Sequence, residues 1–152
     1  MNVAFFLTPK SEVVFEKINS TMRRAMERME YHRYTSIPLL DDRGRYVGTL
    51  TEGDILWKLK NTPDLMLKDT EKVLIQDIPR HVCNKAVSIN SDIENLILAA
   101  KSQNFVPVVD DSNIFIGIIK RSDIISYCYN KMFNKNDYDK IQELEELAQI
   151  AT

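Results

Sequence analysis

The chain has two cysteines, two histidines and one tryptophan in 152 residues. Cys83 and Cys128 lack the C-x-x-C spacing and the clustered histidines of a zinc or redox site, so both are expected to be free thiols in a reducing cytoplasm. His32 and His81 lie near no nucleophile in sequence and read as loop residues. No Walker A, HExxH or GxSxG sequence is present. Nothing assembles a base, a nucleophile and an oxyanion site, so catalysis and metal binding are not expected. The longest apolar runs fall far short of a membrane span. Residues 1–9 lack a basic n-region and a small-residue cleavage site, which argues against a signal peptide. A net charge of −2 gives no basic field for nucleic acid.

What is present is globular: 44% apolar and 28% charged residues. The length fits one ordinary domain or two small intertwined halves. Each half alone buries too little surface to be stable, so a single shared core is expected.

The dominant signal is a duplication. Gly48-Thr49-Leu50-Thr51-Glu52-Gly53-Asp54-Ile55 is answered by Gly117-Ile118-Ile119-Lys120-Arg121-Ser122-Asp123-Ile124. Each copy begins ten residues after a proline in an apolar run, Ile37-Pro38-Leu39-Leu40 and Val106-Pro107-Val108-Val109. The prolines, the first glycines and the aspartates are each 69 positions apart, while Ile18-Asn19-Ser20 returns 71 positions later as Ile89-Asn90-Ser91. A long unit occurring twice is no solenoid. It predicts two copies of one α/β unit about a pseudo-two-fold axis, with a cleft between them as a natural binding place.

Within each copy the pattern predicts strand, helix, strand, turn, strand, helix. Val13-Val14-Phe15 reads as the first strand. Ser20 reads as the cap of a helix whose apolar face is Met22, Ala25, Met26 and Met29. Ile93, Leu96, Ile97 and Ala100 repeat that face, with Ser91 and Glu94 as a capping box. The change of offset places two extra residues around Tyr31-His32-Arg33, expected as a loop. Pro38 removes a ladder donor and predicts an edge or a ligand-facing gap. Asp41-Asp42 and Asp110-Asp111 begin matching turns. Thr51 precedes a helix start, where free N–H groups favour phosphate; Ser122 or Asp123 is expected to start the last main helix. Asp54 and Asp123 either accept the vicinal hydroxyls of a ribose or merely cap their helices. Residues 131–152 form an acidic tail in which Tyr138, Ile141, Leu144 and Leu147 recur at helical spacing, packing on the chain's own body or on a second subunit.

This order of elements, with two G-x-x-[TS]-x-x-D-like motifs in register, resembles the CBS domain, named after cystathionine β-synthase; two such domains make a Bateman module. The resemblance covers roughly residues 5–130. It implies two β-α-β-β-α repeats, at 1–60 and 78–130, joined by a linker over 61–77. It implies adenine nucleotides bound between the repeats, with no cofactor required. By that resemblance Lys10, Tyr34 and Thr35 join Lys120, Arg121 and Asp123 at one site, with Glu12 and Ile37 nearby. Arg80 and Phe105 join Thr51 and Asp54 at the other, beside Val106. Ile37, Phe105 and Val106 read equally well as core. Lys120 replaces the motif's hydroxyl with a cation that could hold phosphate, so the two sites need not be equivalent.

The chain is also similar to small stand-alone bacterial CBS-pair proteins that bind cyclic di-AMP. It shares Lys10, Tyr34-Thr35, the Asp77-Ile78-Pro79-Arg80 entry and the basic pair Lys120-Arg121. Both aspartates suit AMP, ADP or ATP equally. The expectation is a cytoplasmic homodimeric sensor acting on a separate effector protein. The alternative is a ligand-free scaffold with degenerate sites.

Overall fold

The computed structural model describes residues 2–150, and the backbone alone for 134–144. The first series of elements is β1 (Thr8–Pro9), β2 (Glu16–Lys17), α1 (Met22–His32), β3 (Ser36–Leu40), β4 (Tyr46–Thr51) and α2 (Glu52–Asn61). The second is β5 (Val87–Ser88), α3 (Ile93–Ala100), β6 (Phe105–Val109), β7 (Phe115–Lys120) and α4 (Arg121–Ile150). The 3-10 turns Leu67–Lys72 and Ile75–Asp77 lie between them. The fold is mixed α/β with two repeats, as the duplication predicts.

The strands form two sheets, β2-β3-β4 and β1-β7-β6-β5. β1 therefore leaves its own repeat and pairs antiparallel with β7, Thr8 opposite Ile118 and Pro9 opposite Gly117. Gly117 makes this possible, because a Cβ there would collide with the Thr8 carbonyl. Pro38 and Pro107 sit in middle strands. β2 reaches only Leu39 and Leu40, and β5 only Val108 and Val109, so each proline faces a stretch with no neighbouring strand.

Contacts between symmetry-equivalent residues locate the pseudo-two-fold axis. Arg45 bridges Ile114, and the Tyr46 and Phe115 rings stack at 6.4 Å and 25°. Both pairs are 69 positions apart. A residue touches its own counterpart only on the axis that relates them.

The buried side chains form two cores rather than the single one expected. One contains Met22, Ala25, Met29, Ile37, Leu39, Leu50 and Ile55 together with Ile75 and Ile78 from beyond the first repeat. The other contains Leu96, Ala100, Val106, Val108, Ile119 and Ile124 together with Val3 and Phe6 from the chain's start. Each small core is completed by a segment that precedes the other half in sequence. That exchange ties the halves together where size alone leaves each marginal.

Several local expectations are corrected. Val13-Val14-Phe15 forms no strand; β2 begins just beyond it, at Glu16. Helix α1 is capped by Thr21, whose hydroxyl accepts the Arg24 N–H at 3.2 Å, and α3 by Asp92, which accepts the Asn95 N–H at 2.9 Å. Ser20, Ser91 and Glu94 do not serve as these caps. The extra residues at 31–33 lengthen α1 to 11 residues against 8 in α3, and Arg33 stops α1 in the left-handed region at φ 58°. His32 is thus helical. α4 starts at Arg121 and runs unbroken to Ile150. The side chains of Tyr138, Ile141 and Leu144 lie outside the described residues; Leu147 is exposed.

The two repeated motifs also explain each other. Asn19 donates to Asp42 at 3.2 Å and Asn90 to Asp111 at 2.9 Å. Asp41 accepts the N–H groups of Arg43 and Arg45, as Asp110 accepts those of Ser112 and Ile114. These aspartates build turns. Among the described residues no helix is long and apolar enough to cross a membrane.

Candidate functional site

A cleft of about 490 Å³ opens between the two halves. β1 and the loop after it supply Thr8, Glu12, Val13 and Val14. The α1–β3 turn supplies Arg33, Tyr34 and Thr35, and β3 supplies Ser36 and Pro38. The second half supplies Asn104, Phe105, Ile118, Lys120 and Ser122.

Local structure holds this set in place. The left-handed Arg33 swings the chain out of α1, and the Tyr34 N–H closes back onto the Met29 carbonyl at 2.9 Å. The Tyr34 ring is half-exposed and stacks on His32 at 5.3 Å and 16°. The Thr35 carbonyl accepts the Glu52 N–H at 2.9 Å, and the Asn104 carbonyl accepts the Arg121 N–H at 3.1 Å. The cleft thus offers two aromatic rings, several hydroxyls, two cations and one carboxylate. Such a surface suits a planar base joined to an anionic, hydroxylated group.

The structure brings Glu12, Tyr34, Thr35, Phe105 and Lys120 together here. Phe105 was expected on the opposite side, with Arg80, Thr51 and Asp54, so that grouping is corrected. Lys10 lies in a different hollow, 5.4 Å from the Phe15 ring centroid and beside the Asp41–Gly44 turn. Arg121 donates to Asn104 Oδ1 at 2.6 Å. Asp123 is exposed beside Phe5, Phe6 and Tyr127. Ile37 and Val106 are fully buried, one in each core. Arg80 lies against Gly48, and a Cβ on that glycine would stand 2.9 Å from its Nε.

Thr51 and Asp54 form a reciprocal cap on α2. The Thr51 hydroxyl accepts the Asp54 N–H at 3.1 Å, and Asp54 Oδ2 accepts the Thr51 N–H at 3.0 Å. Asp54 is 2% exposed, and its Oδ1 accepts the His81 N–H at 3.0 Å. Near the axis, burial pushes the Tyr46 phenol up to about 12 despite its hydrogen bond with Thr49. The partly buried Asp41 carboxyl is lowered, first by the Arg45 main-chain N–H.

Sequence reasoning missed Thr8, Arg33, Ser36, Asn104 and Ser122. Thr8 enters only through the strand exchange. Arg33 sits in the insertion, where no repeat partner marks it. Ser122 stands where the first motif has Gly53, so the motif comparison passed over it.

The fold is shared with solved CBS-pair structures. CbpB in complex with c-di-AMP superposes with a TM-score of 0.77 at 18% identity, with 91% of each chain covered. CBSX2 in complex with AMP gives a TM-score of 0.66 at 22% identity, covering 85% of this chain and 96% of that one. In sequence, the chloroplastic CBS domain-containing protein CBSX1 of Arabidopsis thaliana is 24% identical over 147 residues, 81% of this chain and 62% of that protein. The chain therefore spans less than two thirds of that relative's length. The CBS domain family model matches residues 6–61 and again 75–130. The duplicated motifs, the exchanged strand and this double match agree: the chain belongs to the CBS domain family and carries the domain twice.

Proposed function

We propose that the chain is a non-catalytic regulatory CBS pair that binds an adenine nucleotide in the cleft between its halves. The ligand class is AMP, ADP, ATP or cyclic di-AMP. The observation that carries this reading is the meeting of Tyr34 and Phe105 with Lys120 and Arg33 across one cleft. The aromatic rings provide faces for adenine, and the cations suit phosphate oxygens. Glu12, Thr35 and Ser122 are the candidates for ribose hydroxyls. The likeness to CbpB with c-di-AMP and CBSX2 with AMP supports the ligand class. The reading includes a cytoplasmic homodimer with a separate effector protein.

The mechanism is linkage. A ligand touching both halves favours the relative arrangement that best closes the cleft, and a partner preferring that arrangement feels the difference. The test is calorimetric titration and thermal denaturation with AMP, ADP, ATP and cyclic di-AMP. At least one should bind and stabilise the fold by about 2.7 kcal/mol at a hundredfold excess over Kd. No heat and no shift with all four would sink the reading. The scaffold reading has one observation in its favour: Asp54 is committed to capping. Titration separates the two directly.

A further inference from the structure

We infer that the chain holds one nucleotide, in the Tyr34–Lys120 cleft, and that its own segment 80–85 occupies the pseudo-symmetric counterpart. The occupied cleft rests on the nucleotide-binding reading above; the closed one rests on geometry alone.

At two positions of the cleft the pseudo-symmetric counterpart is less exposed. Tyr34 is 47% exposed, whereas its counterpart Gln103 is 6% exposed. Lys120 is exposed, whereas Thr51 is half-buried and bound into the α2 cap. Outside the cleft, Asp123 is exposed, whereas its counterpart Asp54 is buried.

What covers them is main chain. Gln103 clasps Lys85 at two points: Oε1 accepts its N–H at 3.1 Å, and Nε2 donates to its carbonyl at 3.1 Å. The Tyr46 hydroxyl donates to the Asn84 carbonyl at 3.2 Å, and Asp54 Oδ1 accepts the His81 N–H. Four ties thus fasten a stretch of six residues. The corresponding stretch beside the open cleft gets no such clasp from Tyr34, whose ring stacks on His32 instead.

A nucleotide entering the closed position must lift the strap. That leaves Gln103 Oε1 and one Asp54 oxygen without their partners in a buried setting, while Gln103 Nε2 keeps only its longer bond to the Phe105 carbonyl. Gln103 is therefore a positioning residue that decides which cleft is open.

The experiment combines hydrogen exchange with calorimetric titration, using AMP and cyclic di-AMP as probes on the wild type and Gln103→Ala. In the free protein the His81 and Lys85 amides should exchange about a hundredfold slower than in an unstructured chain. Saturating nucleotide should leave them unchanged, and titration should give one ligand per chain. Gln103→Ala should speed Lys85 exchange by about tenfold and leave the first-cleft affinity as it was. Two ligands per chain, unprotected amides, or nucleotide-induced loss of protection would overturn the inference. If neither probe binds, the single-nucleotide assignment falls, and the strap is then decided by exchange alone.

Discussion

The two halves share one topology and differ in what they do with equivalent positions. Glu16 in β2 sits opposite Leu39, and Val87 in β5 sits opposite Val108, so the two occupy the same place. Glu16 is buried and draws Arg24 and Arg28 onto one oxygen, each at 3.2 Å. The second half has Val87 there, with Asn95 and Ala99 where the arginines stand. Helix α2 has 10 residues and a reciprocal cap; its counterpart α4 has 30. A duplicated fold constrains the apolar lattice that both halves need. It leaves polar positions free to diverge, and divergence is how one cleft opens while the other shuts.

The comparison can be broken first at the axis. Phe115 is 1% exposed and touches the rings of both Tyr46 and Phe15. Phe115→Ala should cost about 3–5 kcal/mol in urea unfolding. A loss confined to one half, seen as two separate transitions, would show that the axis does not couple them.

The next effect is alkaline. The folded Tyr46 phenol titrates at about 12, against an ordinary value of 10.0. Because the folded state holds the proton more tightly, the associated stability is present in full below pH 10. It fades as pH rises through the folded value, a loss of about 2–3 kcal/mol. Tyr46→Phe, which makes the axis pair alike, should flatten the stability curve between pH 10 and 12.

The paired aspartates sharpen the contrast. Asp54→Ala leaves two main-chain donors unpaired and should cost about 1–3 kcal/mol. Asp123→Ala, at the equivalent exposed position, should change stability by no more than about 0.5 kcal/mol. Equal costs in denaturant titration would contradict the assigned difference.

At the ligand, Lys120→Ala should weaken nucleotide binding by about tenfold, roughly 1.4 kcal/mol. Thr51→Ala should leave affinity unchanged and cost about 1 kcal/mol of stability as a lost helix cap. The reverse pattern would move the ligand to the other cleft. The smallest effect belongs to Asp41. Its carboxyl is lowered below the ordinary 3.8, so its contribution is present above that pH and is lost as pH falls through the folded value. Asp41→Asn should remove a shallow slope from the acid limb of the stability curve.

Much of the fold was legible because repetition exposes it. The proline strands, the aspartate turns and the glycine motifs recur at constant spacing, and each recurs for a local reason such as a missing N–H or a turn geometry. Helix caps were misread by one residue. Ser, Thr and Asp are all competent caps, and only the backbone's entry into the helix chooses among Ser20, Thr21, Ser91 and Asp92. At the site, Tyr34, Thr35 and Lys120 were legible from their place beside the motifs. Arg33 and Thr8 were not, because no pattern on a line reveals a left-handed helix stop or a strand lent to the other sheet.

The sequence by itself determined the duplication, the α/β class and the periodic apolar faces, since these follow from residue spacing and steric preference along the chain. Only the tertiary structure decided which aspartate faces water, which core each connecting segment completes and which cleft stays open. Those outcomes depend on contacts between residues far apart in sequence. Gln103 closes on Lys85 only once α3 has folded back along β6, and Asp54 meets the His81 N–H only when the two halves pack around their axis.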